Sequence, residues 1–397
     1  MKRGLLFLSC LLAVSTLTGC SITGEMSKNQ YWRDIGQFEL VQTIAVDWTD
    51  PGVTVTVSSK ATEDESGEKQ EPLILSAEAD TVVGALEQLH RFSSKEQIFF
   101  AHTRNYVLGE GAAENGVMDY LDFMERDLNM RLDTAMFIAK SGSAEILVEE
   151  SASEEADISE ILENFQRDTS LMSSGYVFSC QEVAKSLSEC GSALVSAIEL
   201  EESKEGAEGA REKQAVPAGY AVLKDGKLID YLDADLSPGV NILLNKMESD
   251  VIEIPGDNGK FTAFRMTGGK SSFRPVFEDG RLAYIDVNIE LRANINEISS
   301  EIDVFDESVL TRFQEEISER LGGVCEKVIA RAQEQNADFL GIGKKIENTA
   351  PVAFAGMPAT WTAVFPETDF RYHTNTVLER TYDLKEPLSV GGDHLEK

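Results

Sequence analysis

The residue with the most definite chemistry is Cys20, whose thiol directly follows Leu17, Thr18 and Gly19. A leucine, two small residues and a cysteine in this order resemble a lipobox, in which the thiol takes a diacylglyceryl group and the peptide is then cut just before the cysteine. Upstream, Lys2 and Arg3 precede an apolar run from Leu5 to Leu17. A basic start, an apolar stretch of about 7–15 residues and small exit residues describe a secretory signal peptide, since a spanning helix needs about 20 residues. Two or three acyl chains such as palmitate, at about 0.8 kcal/mol per buried methylene, would hold the chain at a membrane nearly permanently. Cys20 is expected to be an anchor, and residues 1–19 to be removed.

The other chemistry-bearing residues point away from catalysis. Gly109-Glu110-Gly111-Ala112-Ala113-Glu114 has the outline of a dinucleotide loop, but Glu114 puts a carboxylate where a pyrophosphate would have to approach. Gly341-Ile342-Gly343-Lys344-Lys345 lacks the upstream glycine and the hydroxyl residue of a phosphate loop. The four histidines, His90, His102, His373 and His394, have no metal-binding spacing, and no G-x-S-x-G elbow occurs. Acidic clusters such as Glu63-Asp64-Glu65 and Glu149-Glu150 lack the ligand array of a calcium loop and read as solvated charge. Beyond Cys10 and Cys20 only Cys180, Cys190 and Cys325 remain, an odd set without C-x-x-C spacing, for which buried free thiols or one Cys180–Cys190 bridge are both open. The expectation is a protein that is not an enzyme, with no metal and no cofactor.

Composition narrows the partners. There are 69 acidic against 36 basic residues, and losing Lys2 and Arg3 with the signal moves the net charge from −33 to −35. A nucleic-acid backbone needs a basic face to displace its counterions, so nucleic acid is not an expected partner. At 397 residues and 42% apolar content the chain has material for two or three domains, and no segment after the signal has the 18 or more consecutive apolar residues of a spanning helix.

The elements that must position any site follow from periodicity. Val53-Thr54-Val55-Thr56-Val57 alternates after Pro51-Gly52 and predicts a strand with one solvent face. Val82, Val83, Leu86, Leu89 and Phe92 have helical spacing, Ile98 to Leu108 reads as strand, Val117 to Leu128 as helix and Thr134 to Ala139 as strand. Glu201 to Lys213 has no large apolar residue and reads as a linker. Beyond it, Lys224-Asp225-Gly226-Lys227 between strand-like runs signals a hairpin. Ile285, Val287, Ile289, Leu291, Ala293 and Ile295 predict a long strand packed on one face. Leu310, Phe313, Ile317, Leu321, Val324 and Val328 predict a helix over about 306–335 that covers the sheet, with Gly322-Gly323 marking a kink or a close approach. The expected fold class is α+β and multi-domain, with mostly antiparallel sheets packed with helices and a C-terminal domain in which a long helix lies on a sheet. The expected division is 1–19 signal peptide, 20–30 tether, 31–200 N-terminal α+β domain, 201–214 linker, 215–275 middle β-rich domain and 276–390 C-terminal α+β domain.

The ordered motifs resemble the Ger(x)C family, the lipoprotein C subunits of nutrient germinant receptors in endospore-forming bacteria. The similarity is carried by Trp32-Arg33-Asp34-Ile35 with Ile44-Ala45-Val46-Asp47, by Ile98 to Arg104 followed by Tyr106 to Glu110, and by Met118 to Asp133 with its Arg-Asp and Arg-Leu-Asp landmarks. In the second half it is carried by Gly219 to Leu228, Leu236 to Lys246, and Asp338-Phe339-Leu340-Gly341-Ile342-Gly343. Family members usually place the tryptophan-aspartate pair directly after the lipidated cysteine, whereas here Ser21 to Tyr31 intervene and Arg33 separates Trp32 from Asp34.

The resemblance implies a three-domain α+β body, lipid-anchored to the outer face of the inner spore membrane and extracytoplasmic. It implies membrane-embedded A and B subunits as partners and a role, without catalysis, in triggering germination in response to nutrients. Direct binding of germinant by this chain is left open. The alternative is a solute-binding lipoprotein of a transporter, which would show repeated strand-helix units in both halves.

Overall fold

The computed structural model describes residues 38–380, apart from 61, 64–68, 71, 93–96, 152–156, 169–174, 203–212, 256–259, 299–305, 356 and 358–359. In chain order the strands are β1 Phe38–Thr49, β2 Gly52–Ser59, β3 Thr62–Glu63, β4 Lys69–Gln70, β5 Ile74–Ala79, β6 Gln97–Phe99, β7 Asn105–Gly109 and β8 Ala135–Ala139. They continue with β9 Ser192–Glu202, β10 Lys213–Lys224, β11 Lys227–Leu232, β12 Asp250–Pro255, β13 Phe261–Glu278, β14 Arg281–Ile298 and β15 Asp369–Arg380. The helices are α1 Val82–Phe92, α2 Glu110–Asn115, α3 Met118–Arg126, α4 Ala144–Glu150, α5 Ile158–Asp168, α6 Cys180–Cys190, α7 Ser237–Leu243, α8 Glu307–Glu334, α9 Ile342–Thr349, α10 Pro351–Phe354 and α11 Trp361–Val364. None of them is long and apolar enough to cross a membrane.

The class is α+β, with two mixed sheets packed against helices. The first sheet runs β11-β10-β9-β8-β7-β1-β2-β5, with β6 beside β1. Its centre is parallel where the chain alternates strand and helix, in the pairs β1–β7, β7–β8 and β8–β9, and its flanks are antiparallel hairpins. That division follows from connectivity, because a parallel return needs a crossover while a tight turn gives an antiparallel pair. One face carries α1, α2, α3 and α6 over Val46, Val55, Leu108 and Met136. The opposite face carries α4 and α5 over Ala45, Val107 and Phe137.

Helices on both faces change the reading of β2. The alternation of Val53, Val55 and Val57 is present, but Thr54 and Thr56 are buried rather than solvent-facing. Hydroxyls on that face pair internally, Thr56 Oγ1 with Ser76 Oγ at 2.8 Å and Thr43 Oγ1 with Ser159 Oγ at 2.9 Å. The run from Ile98 to Leu108 is also two short strands, β6 and β7, separated by a turn closed by Thr103 N donating to Phe100 O.

The expected linker joins β9 to β10, and these pair antiparallel from Ser192↔Lys224 to Glu202↔Lys213. Residues 215–275 therefore divide: β10 and β11 extend the first sheet, and β12 and β13 begin the second. The second sheet runs β12-β13-β14-β15. In β14, Ile285, Val287, Ile289, Leu291, Ala293 and Ile295 all point into the core, as their alternation requires. Helix α8 starts on Asp306, whose carboxylate accepts from Ser308 N, and lays Phe313, Ile317, Leu321, Cys325, Val328 and Ala332 on that core. Side chains of this size contribute roughly 1.5–3 kcal/mol each when fully buried, so this face holds the helix against the sheet. Gly322 is a close approach: a Cβ there would lie 2.7 Å from Thr374 Oγ1 of β15, while one at Gly323 would meet nothing within 4 Å.

Candidate functional sites at the landmark residues

Leu17, Thr18, Gly19 and Cys20 lie outside the described residues, as do Trp32 and Asp34. Several of the remaining landmarks fall at three places where the chain fastens segments remote in sequence.

The first is built on Asp47 at the end of β1. Its Oδ2 accepts from Ser143 Oγ at 2.9 Å and Glu145 N at 2.8 Å, and its Oδ1 accepts from Ala144 N at 2.9 Å. The carboxylate thus takes up free N–H groups at the start of α4, where the helix dipole also favours negative charge. Gly109 faces it, and a Cβ at that position would fall inside the carboxylate. The glycine that suggested a dinucleotide loop is there to admit Asp47. The next residue, Glu110, accepts from Tyr231 Oη at 3.0 Å, and burial together with this neighbour pushes the Tyr231 phenol well up.

The second is the Asp338-x-x-Gly341-x-Gly343 segment. Asp338 is buried; its Oδ1 accepts from Ile342 N at 2.7 Å, and its Oδ2 accepts from Gly343 N at 2.7 Å and Trp361 Nε1 at 2.9 Å. Gly341 precedes α9 with φ +64°, a left-handed conformation that suits glycine. At Gly343 a Cβ would lie 2.6 Å from Trp361 Nε1, so only glycine lets the indole reach the carboxylate. Burial pushes the Asp338 carboxyl above its ordinary value, and the three donors pull the other way. Lys345 is one turn along, donates to Leu243 O at 3.0 Å and lies 4.8 Å from the centre of the Phe273 ring. Burial pulls its ammonium down to about 8, against the opposing pull of Asp338 and Cys190.

The third fastens the two sheets together through the β10–β11 hairpin. Asp225 and Gly226 have φ of +50° and +76°, as a two-residue turn of the Asp-Gly kind demands. Gly226 O accepts from Val117 N at 2.7 Å, which seats the turn on the start of α3. Tyr220 is fully buried; its hydroxyl donates to Asn241 Oδ1 at α7 and accepts from Tyr176 N. Leu194, Tyr220, Val222 and Leu232 belong to the same core as the second sheet and α8. Arg331 at the end of α8 forks onto Asp230 of β11, with Nε to Oδ2 at 2.6 Å and Nη2 to Oδ1 at 3.0 Å. The carboxylate of Asp230 also accepts from Gln335 Nε2 at 3.3 Å.

Landmarks on α3 and after it are superficial. Arg126 pairs with Asp122, and Arg131 forks onto Asp133 in the exposed loop after α3. Cys180 and Cys190 are free thiols at opposite ends of α6, about 15 Å apart at 1.5 Å rise per residue, which excludes a bridge between them. Burial pushes Cys180 up to about 12 and Cys190 up to about 11, far from the range of a nucleophile at neutral pH. Sequence reading missed α6 although its start was legible: Ser179 and Glu182 form a reciprocal capping box, the S-x-x-E pattern. It also missed Trp361 and Asn241, the partners of Asp338 and Tyr220, because nothing local marks them.

Comparison with known proteins covers nearly the whole chain. Residues 33–200 match the family described as spore germination protein N-terminal domain, and residues 218–382 match the family described as spore germination B3/GerAC like, C-terminal. Spore germination protein KC of Bacillus subtilis (strain 168) is 23% identical over 406 residues, covering 96% of each chain. The crystal structure of the GerBC protein superposes with a TM-score of 0.55 at 18% identity, over 84% of this chain and 96% of that one.

Proposed function

Because the chain belongs to the Ger(x)C family of spore germination proteins, we propose that it is the C subunit of a nutrient germinant receptor and helps trigger germination without catalysing a reaction. In this reading Cys20 carries the lipid anchor, residues 20–30 are the tether, and the body stands on the outer face of the inner spore membrane beside membrane-embedded A and B subunits. A division into an N-terminal domain to residue 200 and a C-terminal domain from residue 276 belongs to the same proposal, with residues 215–275 shared between the two sheets rather than forming a middle unit.

The observation that carries the reading is coverage: both family regions match in order, and the germination relative aligns end to end with this chain. The geometry is consistent with an assembling and coupling role. The polar landmarks are spent on internal fastening, and Asp47, Asp338 and Tyr220 do not converge on one cavity. The rival reading, a solute-binding lipoprotein, calls for strand-helix repeats in both halves, whereas the second half is one four-stranded sheet under one long helix.

The test is germination of spores lacking this gene, complemented with the native protein or with Cys20→Ala, while nutrient-triggered release of dipicolinic acid is followed. Loss of the nutrient response with a receptor-independent trigger still effective is the expected result, and Cys20→Ala is expected not to restore it. A strain from which every other receptor set has been removed and which still responds to nutrients without this gene would refute the proposal.

A further inference from the structure

Beside the landmark sites, a cleft of about 610 Å³ opens on the side of the first sheet. Four segments meet around it: the β1–β2 turn, the start of α1, the α2–α3 junction and the β10–β11 turn. Its walls are fixed, because Val117 N holds Gly226 O at 2.7 Å and Gly226 lies directly against Met118. Its floor is apolar, with Val53, Val82 and Phe123 buried in the core beneath. Above that floor Trp48, Val83 and Met118 stand 44%, 53% and 53% exposed, three large apolar side chains left half uncovered around one depression. The rim holds three exposed carboxylates, Asp80, Asp119 and Asp225, against the single cation of Lys227. None of these four forms an ion pair among the described residues.

An apolar floor under a rim of unpaired carboxylates suits an occupant with the reverse arrangement. We propose that this cleft docks a basic segment of a partner protein, one in which a lysine or arginine stands beside an aliphatic or aromatic residue. The apolar residue covers Met118 and Val83 while the cation meets the rim and the face of Trp48. An open groove of this kind suits an extended peptide better than a small ligand, whose surface is normally 70–90% enclosed.

Other occupants fail on charge or reach. A second copy brings a net of −35 once the signal is lost, and the same acidic rim. Residues 381–397 carry four carboxylates against two lysines. The tether joins the body at Phe38, and the 12 residues of β1 put that point about 36 Å from the cleft end of the strand at 3.3 Å per residue. Arg33, five residues before Phe38, reaches only about 18 Å even when fully extended, and Lys28, ten residues before it, covers the distance only as a straight, taut chain of about 33–36 Å. The inference needs the cleft alone and stands independently of the germination reading.

The test uses the full chain in the cells that produce it, with Met118→p-benzoylphenylalanine as photocrosslinker, Val352→p-benzoylphenylalanine as an exposed control beside the second sheet, and sequencing of the joined peptides. The expected result is an adduct at position 118, absent at 352, to one protein segment with a lysine or arginine next to an apolar residue. Its yield should drop at least tenfold in the D80N/D119N/D225N background, with the thermal midpoint unchanged. No adduct above the control, an adduct to lipid, to a second copy or to an acidic segment, or a yield unmoved by the three substitutions overturns the proposal.

Discussion

Asp338→Asn isolates what a single carboxylate oxygen does in the C-terminal body. In the native fold three donors converge on Asp338, Ile342 N on Oδ1 and Gly343 N with the half-buried Trp361 indole on Oδ2. Asparagine keeps one acceptor and replaces the other with an NH2 group. Its best orientation leaves the carbonyl on Gly343 N and Trp361 Nε1 and turns NH2 toward Ile342 N, so one buried donor loses its acceptor and faces another donor. An orphaned buried donor costs about 1–3 kcal/mol, and the two bonds that remain are no longer charge-assisted. The expected loss of stability is therefore about 2–3 kcal/mol. Trp361→Phe, which removes one donor and leaves Oδ2 bonded to Gly343, should cost about 1 kcal/mol from the hydrogen bond. Asp338→Ala orphans all three donors and should exceed about 4 kcal/mol, the range of named severe defects. Urea unfolding of the purified unlipidated chain, followed by far-ultraviolet circular dichroism, measures the series. An Asn variant within about 0.5 kcal/mol of the native chain, or an Ala variant no worse than Asn, would refute the reasoning, since the donors would then have other acceptors.

Three further perturbations separate effects that look alike in the sequence. Gly323→Ala should raise stability by about 0.5–1 kcal/mol, whereas Gly322→Ala should lower it because its Cβ would meet Thr374 Oγ1 at 2.7 Å; paired thermal melts read the opposite signs. Tyr220→Phe removes a hydroxyl bonded to Asn241 and Tyr176 and should cost about 1–3 kcal/mol, with hydrogen exchange accelerating at the seam first. Burial holds the Lys345 ammonium at about 8, below its ordinary value of 10.5, so between those values the unfolded chain binds more protons than the folded one. Stability attributable to Lys345 should therefore rise with pH from about 8 to 10.5 and stay level below 8, where both states hold the proton; Lys345→Met should flatten that slope in pH-resolved unfolding, and an unchanged slope would assign it to other groups.

Elements defined by their own periodicity were legible in the sequence. The stripe from Leu310 to Val328 became α8, the alternation around Ile285–Ile295 became β14, and Asp225-Gly226 became a hairpin turn. What was not legible depends on a neighbour supplied by the fold. Thr54 and Thr56 carry the pattern of a wetted face but are covered by helices, with Thr56 satisfied by Ser76. The pairing of β9 with β10 spans a charged stretch that reads as a boundary. Gly322 and Gly323 are adjacent and chemically identical, and only the position of β15 distinguishes them. The Asp338–Gly343 pattern could be seen, but its reason could not, because Trp361 lies 23 residues from Asp338.

The fastening also bears on how a protein of this shape could transmit an event. Opening the seam between the sheets would expose Leu194, Tyr220, Val222 and Leu232, all buried in the shared core. At roughly 1.5–3 kcal/mol per side chain, that is a large fraction of the 5–15 kcal/mol by which native proteins are normally stable. It would also strand the Tyr220 hydroxyl and break the fork of Arg331 on Asp230. A hinge at this seam is therefore costly. If the chain couples partners, its two bodies move together, and a partner seated at the Trp48 cleft would feel one rigid unit. Tyr220→Phe combined with Arg331→Ala should loosen that unit, so a coupling defect from this pair, with each body still folded, is what the argument requires.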